Sequence, residues 1–271
     1  MLASVADRSS DDQGAASAIV DDRCHPRKAR SARGAERFAT LAGMTYPIAP
    51  PAITSLPILG SDQRFPIRRV FCIGRNYAEH AREMGATVEP DAPLFFCKPA
   101  DAVVSDGADV PYPQVTAELH HEVEMVVALG AGGSELAPAD AAALVWGYGV
   151  GLDLTRRDLQ ALAKAKSHPW DVAKAFDHSA PVSALRPASV ARPHAGTELR
   201  LTVNGELRQQ TTLAEMVHSV PQIIAALSRL FELKAGDLIF TGTPAGVAAL
   251  QRGDHFHAEL VGIAELRGRI V

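Results

Sequence analysis

Apolar positions in this chain fall into short blocks separated by Gly, Pro, Asn and Asp, rather than into long periodic stretches. Val70 to Ile73 (VFCI) ends at Gly74, and LFFCKP begins at Leu94; each reads as a buried strand. Between them, NYAEHAREMG reads as a short helix closed by Gly85. ELHHEVEMVVALG begins mixed and ends apolar, as a strand entering a core would. PADAAALVWGYGV predicts a helix after Pro138 and then a strand. Leu199–Val203 and Glu206–Gln210 flank Asn204-Gly205, a dipeptide suited to a two-residue hairpin turn. Val220, Ile223, Ile224, Leu227, Leu230 and Phe231 recur at helical spacing. GDLIFTGTPAGV is a strand feeding a Gly/Pro loop, and the C-terminal GDHFHAELVGIAELRGRIV is two short strands. Many short strands, few helices and no regular strand–helix alternation predict a strand-dominated α+β fold.

Residues 1–43 differ from the rest. They are rich in Ser, Arg, Asp and Ala and poor in large apolar residues, too little to offset the entropy of ordering. We read them as a disordered or mis-assigned extension, with Met44 as the native start, residues 44–68 as an extended arm and 69–271 as the catalytic domain. Five aspartates, Asp7, Asp11, Asp12, Asp21 and Asp22, argue against a transit peptide. Lys and Arg number 27 against 31 Asp and Glu, a net charge of −4 that gives no reason to expect nucleic acid or an anionic membrane as partner. No apolar run is long enough to span a bilayer. Cys24, Cys72 and Cys97 form no CxxC spacing, which argues against a disulfide framework or a zinc site and fits a reducing cytoplasm. Cys72 and Cys97 are expected as small buried apolar residues. With no GxGxxG and no P-loop, a nucleotide-dependent redox enzyme is disfavoured.

The candidate chemistry starts at Glu122-Val123-Glu124. On one strand these carboxylates share a face, and the apolar run behind them draws that face inward. Two buried carboxylates side by side repel unless a hard divalent cation sits between them. Asp153, closing the apolar run Val150 to Leu152, is a third oxygen donor, with Asp158 as an alternative ligand or a partner of Arg156 or Arg157. His80 and Glu83 are three apart and share a helix face, the arrangement of a carboxylate orienting an imidazole base. His120 and His121 are taken as structural or supporting. Lys98 and Lys174 lie beside apolar residues and need an anionic partner, such as a substrate carboxylate or an oxyanion. In TGTPAGV, glycines and threonine hydroxyls can approach a ligand closely. Each feature also has a plain reading: a solvated strand edge, a helix N-cap, a surface pair, snorkelling lysines, a tight turn.

Together, IGRNYAEHAREMG, LFFCKP, HHEVEMVVAL, GYGVGLDLTRRDLQ, KAFDHSAPV and GDLIFTGTPAGV resemble the fumarylacetoacetate hydrolase family, in the family's order, from about Arg69 to the C-terminus. The resemblance implies a mixed β-sandwich roll that forms a homodimer. It implies that Glu122, Glu124 and Asp153 bind Mg²⁺ or Mn²⁺, with Ca²⁺ a third possibility, and that His80 and Glu83 activate water. It further implies that Lys174 holds the substrate or its oxyanion and that Thr243 contacts a substrate carboxylate. Arg75, Tyr77 and Lys98 join Thr243 as substrate-binding candidates. The implied reaction is hydrolysis of the C–C bond of a small 2,4-diketo acid, an acylpyruvate, with fumarylpyruvate the best-fitting substrate. Oxaloacetate decarboxylation, homocatechuate-type isomerisation or decarboxylation, and a non-catalytic binding protein of the same fold are the alternatives. Arg156 departs from the family, which often has Ala there, and this leaves the substrate range open.

Overall fold

The computed structural model describes residues 39–41, 44–85, 87, 92–105 and 107–271. The extension expected over residues 1–43, with Cys24, therefore lies outside the described residues apart from 39–41. The chain divides into two units, Met1–Pro51 and Ala52–Val271. In the first, Ala39–Leu41 pairs antiparallel with Met44–Tyr46.

The second unit holds the elements that position the candidate site. In chain order they are β1 (Arg69–Gly74), α1 (Ala78–Glu83), β2 (Leu94–Lys98), β3 (Leu119–His121), β4 (Val123–Leu129) and β5 (Val145–Leu152). After these come α2 (Arg157–Ala165), α3 (Asp171–Lys174), β6 (Glu198–Val203), β7 (Glu206–Thr212), α4 (Val220–Leu230), β8 (Asp237–Phe240), β9 (His255–Leu260) and β10 (Ala264–Arg269). A six-stranded sheet runs in the order Arg186–Pro187, β5, β4, β8, β1, β2. Only β8 and β1 are parallel in it. A four-stranded antiparallel sheet runs β7, β6, β9, β10. The fold is a strand-dominated α+β arrangement of mixed and antiparallel sheets.

Burial explains why the central strands read as unbroken apolar blocks. In β1, Phe71 and Ile73 enter one core, while Val70 and Cys72 enter another on the opposite face. In β4, Val123, Met125, Val127 and Leu129 join the first core, and Val126 and Ala128 the second. A sheet covered on both faces has no side for polar residues. The four-stranded sheet is covered on one face only, so β6 alternates, with Leu199, Leu201 and Val203 inward. Asn204 and Gly205 take φ of 54° and 81° at its hairpin turn, as expected of an Asn-Gly pair. In α4, Ser219 and Gln222 form a capping box, and Ile223, Ile224 and Leu227 are buried. Burying each of these three side chains contributes roughly 1.5–3 kcal/mol.

Two expectations are corrected. The segment ELHHEVEMVVAL is not one strand: it breaks at Glu122, because β3 pairs with Thr155–Arg156 and Ala248–Ala249 while β4 joins the central sheet. Cys72 is buried as expected, but Cys97 is exposed, because β2 is the edge strand of its sheet. Among the described residues, no helix is long and apolar enough to cross a membrane.

Candidate metal centre and active site

The break at Glu122 creates the site. β4 and β5 pair so that Gly151 faces Glu124, and Asp153 follows immediately after β5. The Asp153 N–H donates to the Glu122 carbonyl at 2.8 Å, pinning the two chain segments where they leave the sheet. Glu122, Glu124 and Asp153 are all buried, and each offers an oxygen within 4.8 Å of the other two. Val123 and Met125 turn into the core on the other side, so Glu122 and Glu124 keep the alternation of the strand and meet Asp153 where the chain leaves the sheet.

Three cations surround this cluster. Lys174 Nζ lies 2.7 Å from Glu122 Oε2 and 2.6 Å from Asp153 Oδ2. Lys98 Nζ lies 2.9 Å from Asp153 Oδ1 and also donates to the Leu154 and Lys174 carbonyls. Arg157 pairs with Glu122 and donates to Gln160 Oε1 at 2.7 Å. Glu124 has no cation of its own among the described residues; Gly242 N–H donates to its Oε2 at 2.6 Å. Gly242 has φ of 98°, and a Cβ there would stand 2.6 Å from the Asn76 Cβ, so this donor requires glycine.

The ionisation pattern follows from these contacts. Burial, with Asp153 and Glu122 alongside, pushes Glu124 well above the usual carboxylate range. Burial would raise Glu122 too, but Lys174, Arg157 and His80 outweigh it and hold Glu122 far below that range. Burial disfavours the Lys174 ammonium, yet Asp153 and Glu122 reverse the effect and raise its pKa. A positive charge is therefore strongly favoured between Glu122 and Asp153. Three converging, buried carboxylates are the hard oxygen donors that suit Mg²⁺, Mn²⁺ or Ca²⁺, so the donor set fits a divalent cation.

α1 presents His80 to the same pocket, and its Nδ1 lies 3.3 Å from Glu83 Oε2. An ionised Glu83 only accepts, so it favours the tautomer with the proton on Nδ1 and Nε2 as a base. Burial lowers the His80 pKa, against the opposing pull of Glu122 and Glu83. Glu83 is held in turn by the Gly246 N–H, 3.2 Å from each of its oxygens.

Arg75, His80, Glu122, Glu124, Asp153, Lys174 and Thr243 line one pocket. Two expected substrate contacts do not line it. Lys98 is buried behind Asp153 and acts as its counter-ion. Tyr77 is also buried, at the N-terminus of α1, and its hydroxyl has no hydrogen-bond partner among the described residues. Asp158 is not part of the carboxylate cluster: it accepts from the Thr116 hydroxyl at 2.6 Å and the Ala117 N–H at 3.0 Å, and its charge acts on Arg156 without an ion pair among the described residues. His120 lies beside Arg157, and burial together with that guanidinium lowers its pKa to about 4.

Sequence reasoning missed Gln209 entirely. Its buried amide donates to Thr243 Oγ1 and the Pro244 carbonyl, both at 2.9 Å. The amide oxygen accepts the Val123 N–H at 3.0 Å and lies 2.9 Å from His121 Nδ1. One side chain thereby ties the residue between Glu122 and Glu124 to the loop carrying Thr243. A glutamine on a hairpin carries no local signal of such a role. Arg157, Gln160, Lys164, Trp170 and Phe96 also line the pocket and were not singled out as site residues.

Residues 69–271 match the family model described as fumarylacetoacetate (FAA) hydrolase C-terminal, and the chain belongs to the fumarylacetoacetate hydrolase family. Members of this family are enzymes. Among solved structures, the chain is similar to fumarylpyruvate hydrolase from Pseudomonas aeruginosa in complex with Mn²⁺ and pyruvate: 48% identity, TM-score 0.80, covering 83% of this chain and 98% of that one. It is also 44% identical over 192 residues to oxaloacetate tautomerase YcgM of Escherichia coli (strain K12), covering 70% of this chain and 87% of the relative. The mitochondrial oxaloacetate tautomerase FAHD1 of Rattus norvegicus is 43% identical over 204 residues, covering 75% and 91%.

Proposed function

We propose that the protein hydrolyses the C–C bond of an acylpyruvate, with fumarylpyruvate as substrate and fumarate and pyruvate as products, using Mg²⁺ or Mn²⁺ held by Glu122, Glu124 and Asp153. The observation that carries this reading is the buried carboxylate trio sharing one pocket with His80, whose ring is paired with Glu83. The similar Pseudomonas aeruginosa structure, with its Mn²⁺ and pyruvate, supports it.

When bound, the cation would supply positive charge beside the substrate's C2 keto oxygen. His80 Nε2 takes a proton from water as its oxygen bonds to the C4 carbonyl carbon. Glu83 keeps the imidazole oriented and stabilises its protonated form. The Lys174 ammonium donates to the oxygen on C4 as negative charge develops there. The C3–C4 bond then breaks with its electron pair left on C3, and the proton held by His80 returns to that carbon, giving pyruvate and the acid. Thr243, fixed by Gln209, donates its hydroxyl to the substrate's C1 carboxylate.

A second reading, interconversion of oxaloacetate tautomers, is favoured by the two tautomerase relatives. The same proton-transfer machinery would serve it, without attack of water. A panel of fumarylpyruvate, acetylpyruvate and oxaloacetate with Mg²⁺ or Mn²⁺ separates the two. We expect release of pyruvate from fumarylpyruvate that EDTA stops and added metal restores. Tautomerisation of oxaloacetate without pyruvate release from either diketo acid would overturn the hydrolase assignment. No turnover of any of the three would point to a binding protein.

A further inference from the structure

The pocket is graded in chemistry from floor to mouth. Lys174, bridging the floor carboxylates, lies 4.9 Å from the centre of the Phe96 ring. Phe96 stands against Trp170, ring centres 6.1 Å apart. Trp170 in turn lies under a second cation, Lys164, with Nζ 5.2 Å from the ring centre. The order is therefore carboxylates and lysine, two aromatic rings, then lysine again. Arg75 lines the same pocket. It holds φ of 58°, a left-handed conformation that a non-glycine residue adopts at a cost.

Among the described residues, no carboxylate pairs with Lys164 or Arg75. Burial lowers the Lys164 pKa, and Arg157 and Arg75 lower it further against the opposing pull of Glu122, so positive charge outweighs negative around it. Lys164 is exposed, with the Trp170 ring beneath it and Arg75 lining the same cavity. An anion arriving there would relieve the repulsion and gain charge-assisted hydrogen bonds.

We propose that Lys164 and Arg75 form an anion subsite at the pocket mouth that binds the free carboxylate at the far end of an unsaturated dicarboxylic acyl chain, the chain itself lying along Phe96 and Trp170. The proposal rests on the hydrolase reading for its choice of ligand. A diketo acid head suits the acidic, metal-fitting floor. A flat conjugated segment suits the aromatic rings, and a terminal carboxylate suits the cations. Acetylpyruvate ends in a methyl group and reaches neither ring nor cation. Oxaloacetate has a single keto group with its second carboxylate one methylene away, and no unsaturated chain to lie along the rings.

The test compares fumarate with crotonate, the same trans-alkenoate with a methyl group in place of one carboxylate. Binding of each to the full chain with Mn²⁺ is measured by calorimetry and by Trp fluorescence, since Trp170 lies beneath Lys164. The wild type is expected to bind fumarate about tenfold more tightly than crotonate, the worth of one charge-assisted hydrogen bond. Lys164→Met should erase most of that preference by weakening fumarate alone, and Lys164→Arg should keep it. Equal affinities in the wild type, or equal weakening of both ligands in Lys164→Met, would overturn the subsite. The measurement needs no turnover. If fumarylpyruvate is not hydrolysed while the fumarate preference and its loss persist, the hydrolase reading fails and the subsite stands.

Discussion

Asp153→Asn is expected to abolish turnover and to destabilise the fold, whereas Glu124→Gln is expected to abolish turnover alone. The contrast follows from what each carboxylate touches. Asp153 takes Lys174 on one oxygen and Lys98 on the other, at 2.6 and 2.9 Å, and all three groups are buried. An amide does not neutralise either ammonium, and breaking such buried pairs costs about 3–5 kcal/mol. Glu124 has no cation to leave behind, and burial holds its carboxyl above the usual range, so a neutral amide costs it little. Gln at that position still offers an oxygen to the Gly242 N–H. Loss of either charged donor should lower metal-dependent kcat/KM by about a thousandfold or more, several kcal/mol of transition-state stabilisation. Urea unfolding read beside kinetics checks both halves. Equal unfolding midpoints for the two variants would refute the pairing of Asp153 with the two lysines.

His80→Ala is expected to slow hydrolysis by roughly 10²–10⁴-fold, the usual worth of a positioned general base. Metal affinity should change little, because His80 is not one of the three clustered donors. The pH profile carries the finer prediction. A base works only unprotonated, and burial lowers the His80 pKa. Wild-type activity should therefore persist to more acidic pH than an ordinary histidine would allow, and this acid limb should vanish in His80→Ala. Unchanged turnover in the variant would remove His80 from the chemistry.

Local signals carried much of the fold. The Asn204-Gly205 turn, the α4 periodicity and the apolar blocks of β1 and β4 each follow from neighbours in sequence, and each element forms where its pattern places it. The site was legible as a set of residue types but not as geometry. Strand parity placed Glu122 and Glu124 together, but nothing local showed that the pairing changes sheets at Glu122 or that Asp153 joins them there. Lys98 and Lys174 read alike, as lysines beside apolar residues. Only the packing of β2 and α3 around Asp153 separates the buried counter-ion from the pocket cation. Gln209 and Arg157 were invisible because their partners lie far away in sequence, at Thr243 and Glu122 respectively.

The most direct test of the central claim is an anomalous-difference map from crystals of the full chain grown with Mn²⁺. One strong peak bonded to oxygens of Glu122, Glu124 and Asp153 together, with the Lys174 ammonium moved off its bridge, is the expected result. No peak there, or a peak that leaves any one of those three side chains unbound, would contradict it.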